Sequence, residues 1–206
     1  MFVLTDLTTP SLWHILCTKP EGGGTNVSIE KDIADILIGA EELQAKIAEL
    51  GRQISEDYRG QNPLLICLLR GAVVFLSDLI RAIDIPLEMD FMAISSYGAS
   101  TESSGVVRLV MDLKSNIMGR NVLIVEDIVD SGRTLAYILD NLQTRRPADI
   151  KVCALLSKPS RREVQVELDY LGFEIPDKFV VGYGLDYAEA YRNLPFIGVL
   201  KPELYK

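Results

Sequence analysis

Three carboxylates, Glu126, Asp127 and Asp130, lead into the small hydroxyl-and-glycine run Ser131-Gly132-Arg133-Thr134, directly behind the apolar segment Val122-Leu123-Ile124-Val125. An apolar run without polar alternation reads as a fully buried parallel strand, and Thr134-Leu135-Ala136-Tyr137-Ile138-Leu139 opens a helical pattern soon after it. Strand, short loop and helix N-terminus in that order make an anion site. Backbone N–H groups of residues 130–134 can converge on phosphate oxygens, Gly132 lets the chain approach closely, and the Ser131 and Thr134 hydroxyls add donors. The acids need a different task, because Glu126, Asp127 and Asp130 would repel a phosphate alone. They must face a polyol, a cation or a transferable proton. Together these residue types suit a phosphorylated sugar. A solvated acidic turn is the plainer alternative, but it would not need an apolar strand feeding into it.

The elements that must position this loop are also legible. Leu43, Ile47, Leu50 and Ile54 recur at helical spacing with Glu41, Glu42, Lys46, Glu49 and Arg52 between them, which predicts an amphipathic helix capping a sheet. Residues 64–69 read as a buried strand, Arg70-Gly71-Ala72 as the loop after it, and 73–83 as a return helix. Leu87, Met89, Phe91 and Ala93 alternate with Glu88, Asp90 and Met92 as a strand half-buried on one face. Residues 95–105 carry almost no apolar content, yet lie between that strand and another at 106–111; pattern alone favours a solvated hairpin tip over a lid. Further strands are expected at 150–156, 170–175 and 179–183. Alternating strands and helices imply an α/β domain with a mainly parallel sheet, its ligand beyond the strand ends near a topological switch point.

A chain of 206 residues, 48% hydrophobic and 24% charged, supports one sizeable core and a small appendage. No apolar run approaches the ~20 residues of a membrane span. The net charge of −8 weighs against a nucleic-acid surface, and Arg145-Arg146 and Arg161-Arg162 read as solvated ends of elements. Cys17, Cys67 and Cys153, odd in number and without a C-x-x-C pair, suit reduced and mostly buried thiols in a cytoplasmic protein; the lone His14 reads as incidental. The beginning of the chain is turn and linker chemistry: Thr8-Thr9-Pro10, Lys19-Pro20 and Glu21-Gly22-Gly23-Gly24-Thr25. Residues 12–17 are too short an apolar core for an export signal, and no strand leads into the glycine run as a phosphate loop would require. A mobile extension over 1–33 is therefore expected, with the folded domain at 34–206.

The segment 122–135 resembles the phosphoribosyl pyrophosphate-binding motif of the phosphoribosyltransferases, and in detail that of their hypoxanthine-guanine branch. The likeness covers roughly residues 36–206, with further landmarks in the family's order. It implies the type I phosphoribosyltransferase fold: a mainly parallel central sheet flanked by helices, a hood built from the N- and C-terminal parts of the domain, and a flexible lid loop. It also implies transfer of phosphoribosyl from phosphoribosyl pyrophosphate to a 6-oxopurine, dependence on Mg2+, and a homo-oligomer, dimer or tetramer, without nucleic-acid or membrane partners.

Roles follow from the resemblance residue by residue. Glu126 and Asp127 match the pair that meets the ribose hydroxyls, directly or through magnesium. Asp130 matches the general base at the purine five-ring nitrogen, for which a weakly basic carboxylate needs a raised pKa or an already acidified N–H. Ser131, Gly132, Arg133 and Thr134 hold the ribose phosphate; Arg133 is a Lys in some members, a change that backbone binding tolerates. Leu69, Arg70 and Gly71 match the pyrophosphate loop, which carries a non-proline cis peptide. Lys158 matches the donor to the purine six-position oxygen, and adenine would face that ammonium donor to donor. Phe179 matches the ring stacked on the base, although Phe179-Val180-Val181 alone would read as core strand, and the Val180 backbone reads the base edge. Asp186 matches a second magnesium ligand, Arg192 a pyrophosphate-binding guanidinium, and Ser96 and Tyr97 the lid. Two rivals remain: a regulator of this fold that binds RNA or DNA, which should show a basic face, and a non-catalytic nucleotide-binding subunit, which would have no need of Asp130.

Overall fold

The computed structural model describes residues 29–96 and 107–205. His14, Cys17, the glycine run and most of the expected extension lie outside the described residues, as does Tyr97.

Leu43, Ile47, Leu50 and Ile54 are all buried on the inner face of α1 (Ala40–Asp57), as their spacing requires. This helix packs on α2 (Val73–Ala82), and Gly51 makes the close approach possible, since a Cβ there would stand 2.6 Å from the Ala82 carbonyl oxygen. Beneath them runs a six-stranded sheet made of β2 (Leu64–Leu69), β3 (Glu88–Ser96), β4 (Val107–Met111), β5 (Asn121–Val129), β6 (Asp149–Ser157) and β7 (Tyr170–Glu174). Their spatial order is β4-β3-β2-β5-β6-β7, parallel throughout except for the antiparallel β3–β4 edge hairpin. The central strands are apolar on both faces because both are covered. Leu65, Cys67, Leu123 and Val125 pack towards α1 and α2, whereas Leu64, Ile66, Val122 and Ile124 pack towards α3 (Arg133–Gln143).

Order reverses between β2 and β5. From β2 the chain returns through α2 to β3 on one side; from β5 it returns through α3 to β6 on the other. The loops leaving these two strands therefore diverge and open a crevice between residues 70–72 and 130–132.

Three strands absent from the helix-and-strand reading of the sequence, or longer than it, matter for the site. β5 does not stop at Val125 but runs on to Val129, pairing Glu126 with Ala154 and Val129 with Ser157, so Glu126 and Asp127 are strand residues and not loop residues. β1 (Ile33–Ile38) and β9 (Ile197–Leu200) pair antiparallel, and β9 also pairs with the two-residue β8 (Val180–Val181). This small second sheet is the hood. The turn Ile29–Asp32 is tied to the hood, because the Asp32 carbonyl accepts from Lys201 N at 3.0 Å and its carboxylate from the Tyr191 hydroxyl at 2.8 Å. Among the described residues no helix is long and apolar enough to cross a membrane. Cys67 and Cys153 are buried and unpaired, and burial pushes the Cys67 thiol up to about 12.

Candidate active site

Where β5 ends, Gly132 takes a left-handed conformation (φ 82°) and opens α3. The first-turn amides of a helix have no intrahelical acceptor and can serve an anion; in α3 Arg133 N meanwhile donates to the Ser131 hydroxyl at 3.4 Å. A pocket of about 120 Å3 faces them, lined by Glu126, Ile128, Val129, Asp130, Ser131, Gly132, Thr134 and Leu135. The glycine is needed here for its φ and for packing rather than for approach to a ligand: a Cβ would stand 2.3 Å from the Val164 carbonyl oxygen. Residues 162–164 brace the loop from outside, Glu163 N and Val164 N donating to the Ser131 carbonyl at 2.9 and 3.0 Å. Arg133 turns its guanidinium outward to Glu163, Nε to Oε2 2.6 Å, and so offers the pocket only its backbone.

A wider cleft of about 310 Å3 adjoins this pocket and gathers Asp127, Ile128, Asp130, Lys158, Phe179, Val180, Leu185 and Asp186. Lys158 is held in register with Asp130 because its backbone N continues the β5–β6 ladder to the Val129 carbonyl at 3.0 Å. Its side chain is 8% exposed, and Nζ lies 4.0 Å from Asp177 Oδ1. Burial pulls the Lys158 pKa down, opposed by the negative charges of Asp130 and Asp177. Phe179 stacks on Tyr205, ring centroids 4.7 Å apart, and meets Tyr187 edge-on at 5.6 Å, which fixes its ring at the mouth of the cleft.

On the opposite wall the Leu69–Arg70 peptide bond is cis. Gly71 lies against β5 so closely that a Cβ would fall 1.6 Å from Asp127 Oδ2, and Gly184 (φ 100°) lies as closely against Gly71, with 2.1 Å from a Cβ to the Gly71 carbonyl oxygen. The three layers leave room for glycine only. Arg192 donates from NH1 to the Gly184 carbonyl at 2.8 Å and places NH2 2.9 Å from Asp186 Oδ1. Arg70 and Arg192 then share one carboxylate, Glu189, at 3.0 and 3.1 Å.

Glu126 and Asp127 are consecutive in β5, Glu126 lining the small pocket and Asp127 the cleft. Burial, then the charge of Asp127, pushes the Glu126 pKa well above the usual carboxylate range. Burial also raises Asp127, to about 6, against the backbone N–H bond from Ile128 and the charge of Arg192, with Asp186 adding to the rise. Among the described residues no three His, Cys, Asp or Glu side chains converge as a metal site. Glu126, Asp127 and Asp186 thus do not form a closed cage, and a cation here would need ligand oxygens and water to complete its shell.

The expected residues therefore divide as follows. Asp130, Lys158, Phe179, Val180, Asp127 and Asp186 share one cleft, and Ser131, Gly132 and Thr134 line the pocket beside it. Leu69, Arg70 and Gly71 meet them through Asp127, and Arg192 through Asp186. Ser96 ends β3, and its side chain, like Tyr97, lies outside what is described. Gly184, Glu189 and Arg161 were missed. The Gly182-Tyr183-Gly184 spacing was a usable signal for the first; Glu189 had none. Arg161 does end an element and is exposed, but its Nε stands 3.0 Å from Asp130 Oδ1, and the less exposed Arg162 donates to the Ser157 hydroxyl at 2.7 Å.

The family model described as phosphoribosyl transferase domain matches residues 39–188. The hypoxanthine-guanine phosphoribosyltransferase of Mycobacterium avium is 56% identical over 181 residues, covering 85% of this chain and 89% of that protein. The bifunctional protein TilS/HprT of Listeria monocytogenes is 53% identical over 182 residues, and there the match takes in 88% of this chain but spans only 28% of the longer relative. A crystal structure of a hypoxanthine phosphoribosyltransferase from Staphylococcus aureus superposes with a TM-score of 0.84 at 46% identity, covering 89% of this chain and all (100%) of that one. Both the crevice at the β2–β5 reversal and likeness along most of its length say the same thing: the chain belongs to the phosphoribosyl transferase family.

Proposed function

We propose that this chain is a purine-salvage enzyme of the cytoplasm, moving the phosphoribosyl group of phosphoribosyl pyrophosphate onto hypoxanthine or guanine to give IMP or GMP and pyrophosphate. One observation carries the reading: a cleft holding Asp130, Lys158, Phe179 and Val180 opens beside an amide-lined pocket at the start of α3. The α3 amides with Ser131 and Thr134 grip the 5′-phosphate, and Glu126 and Asp127 meet the ribose hydroxyls. The base slides against Phe179, its six-position oxygen accepting from Lys158 and its edge reading the Val180 backbone. As the purine nitrogen bonds to C1′, the C1′–oxygen bond breaks, pyrophosphate leaves towards Arg70 and Arg192, and the purine N–H proton passes to Asp130.

The donor set fits magnesium of the kind that prefers one or two carboxylates plus phosphate oxygens and water. Asp186, with Glu126 and Asp127, would hold it, and it would neutralise charge on the departing diphosphate. Free, buried Cys67 and Cys153 suit a reducing compartment. A homo-oligomer, dimer or tetramer, is expected from the family.

The test is turnover of a purine panel with phosphoribosyl pyrophosphate and MgCl2. The parent should use hypoxanthine or guanine and reject adenine; no turnover of any oxopurine sinks the proposal. Lys158→Ala should lower kcat/KM for hypoxanthine by about 100-fold, the loss of a charge-assisted bond in a dry site, and narrow the margin over adenine. Gly71→Ala tests the opposite wall. Its methyl forces the Asp127 carboxylate aside, so KM for phosphoribosyl pyrophosphate should rise about tenfold or more while KM for the base holds, in a protein that stays folded at the assay temperature.

A further inference from the structure

Asp130 Oδ1 is shielded from solvent and has no aligned hydrogen-bond donor, although Arg161 Nε stands only 3.0 Å away. The pair is Coulombic, without a satisfied bond. Arg161 ends the short turn Pro159–Arg161, closed by Arg161 N donating to the Lys158 carbonyl at 3.1 Å, which folds the guanidinium back over the cleft. Its NH1 reaches Asp177 Oδ1 at 3.4 Å, and the same oxygen lies 4.0 Å from Lys158 Nζ. Asp177 stands two positions before the stacking ring of Phe179. One guanidinium thus bridges the acid on the sugar side of the cleft and the segment that carries the base-stacking ring.

We propose that Arg161 is a specificity-determining strap across the purine subsite, competing with the incoming base for Asp130 and thereby setting base affinity. This rests on the proposed role of Asp130 towards the purine N–H. For that N–H to be taken, an Asp130 oxygen must be released. Arg161 can release it without being left unpaired, since Asp177 keeps hold of NH1. The exchange is cheap because Arg161, Asp130 and Asp177 are each about half exposed, at 51%, 41% and 54%. A modest effect on the base alone follows, with none on the sugar donor, which is gripped elsewhere.

The experiment measures both KM values, for hypoxanthine at saturating phosphoribosyl pyrophosphate and for phosphoribosyl pyrophosphate at saturating hypoxanthine. Arg161→Ala should lower KM for hypoxanthine about two- to five-fold and leave the other unchanged. Asp177→Asn removes the second anchor and should raise KM for hypoxanthine by a similar factor, an effect that disappears in the double variant. A purely structural ion pair would not move the two in opposite directions. An unchanged or raised KM for hypoxanthine in Arg161→Ala, or an Asp177→Asn effect that persists without Arg161, overturns the strap. A parent that turns over no oxopurine overturns the proposed function instead, so the two failures are distinct.

Discussion

Asp130→Asn should cut kcat for hypoxanthine by about 10²–10⁴ while KM for phosphoribosyl pyrophosphate stays within about two-fold. The amide has the size of the carboxylate and can still line the cleft, but it cannot accept a proton. On the proposed reading the donor's phosphate is held by backbone amides and hydroxyls of the neighbouring pocket, where Asp130 is one of the lining residues and an isosteric amide keeps its shape. What is lost is the acceptor for the purine N–H at the moment the nitrogen bonds to C1′. Bond formation makes that N–H strongly acidic, so even a weak base suffices, provided it is in place beforehand. Placement is what the fold supplies: Asp130 follows the last residue of β5, and Lys158 follows the last residue of β6, with Val129 paired to Ser157. The proposed general base and the proposed oxopurine donor are therefore set by one strand register, which would bring a base seated on Lys158 beside Asp130. Single-turnover measurement at saturating donor separates chemistry from release. Normal turnover by Asp130→Asn would place the proton acceptor elsewhere and leave the family assignment untouched.

The chemistry at the end of β5 was legible in the sequence because its signals are local. An apolar run, a loop of small residues and a helix start occupy consecutive positions, and the physics of helix N-termini supplies the rest. Local pattern failed where geometry is made by distant segments. β1 and β9 come from opposite ends of the described chain and pair only with each other and with β8, the short core of the strand expected at 179–183. Val122-Leu123-Ile124-Val125 looked like the whole strand since Glu126 and Asp127 break the apolar run, yet pairing with β6 carries the strand through them. Gly132 suggests close approach of the chain to a ligand by its type alone, whereas its tight neighbour is the Val164 carbonyl, which no reading of the loop alone could supply. Arg161 and Glu189 are ordinary surface residues by type, and acquire a role only through partners brought in by the fold. Resemblance to a family filled part of this gap, including the cis bond at Leu69–Arg70, which composition and spacing do not encode.

Glu126 and Asp127, the neighbouring acids of β5, should show a cost in the ligand-free protein that the donor removes. With Asp127 raised from 3.8 to about 6, the folded chain binds more protons than the unfolded chain between those values. Stability therefore falls as pH rises through that window, and the loss is complete above it. Asp127→Asn abolishes the titration while leaving an oxygen to accept the Ile128 N–H, so it should raise the unfolding free energy at pH 7 by about 2–3 kcal/mol. Below pH 3.8, where both states of the parent carry the proton, the gain should vanish. Glu126, raised by the same burial and by its neighbour, adds in the same direction. If Asp127 meets the ribose hydroxyls and a cation as proposed, the Asn variant should bind phosphoribosyl pyrophosphate with MgCl2 far more weakly, and the parent's own affinity should weaken as pH falls below about 6. Urea unfolding at three pH values and calorimetry with the donor read the two sides of this exchange. If Asp127→Asn proved less stable than the parent at pH 7, desolvation would not be what raises the pair, and a cation or a second group retained through folding would have to be satisfying it.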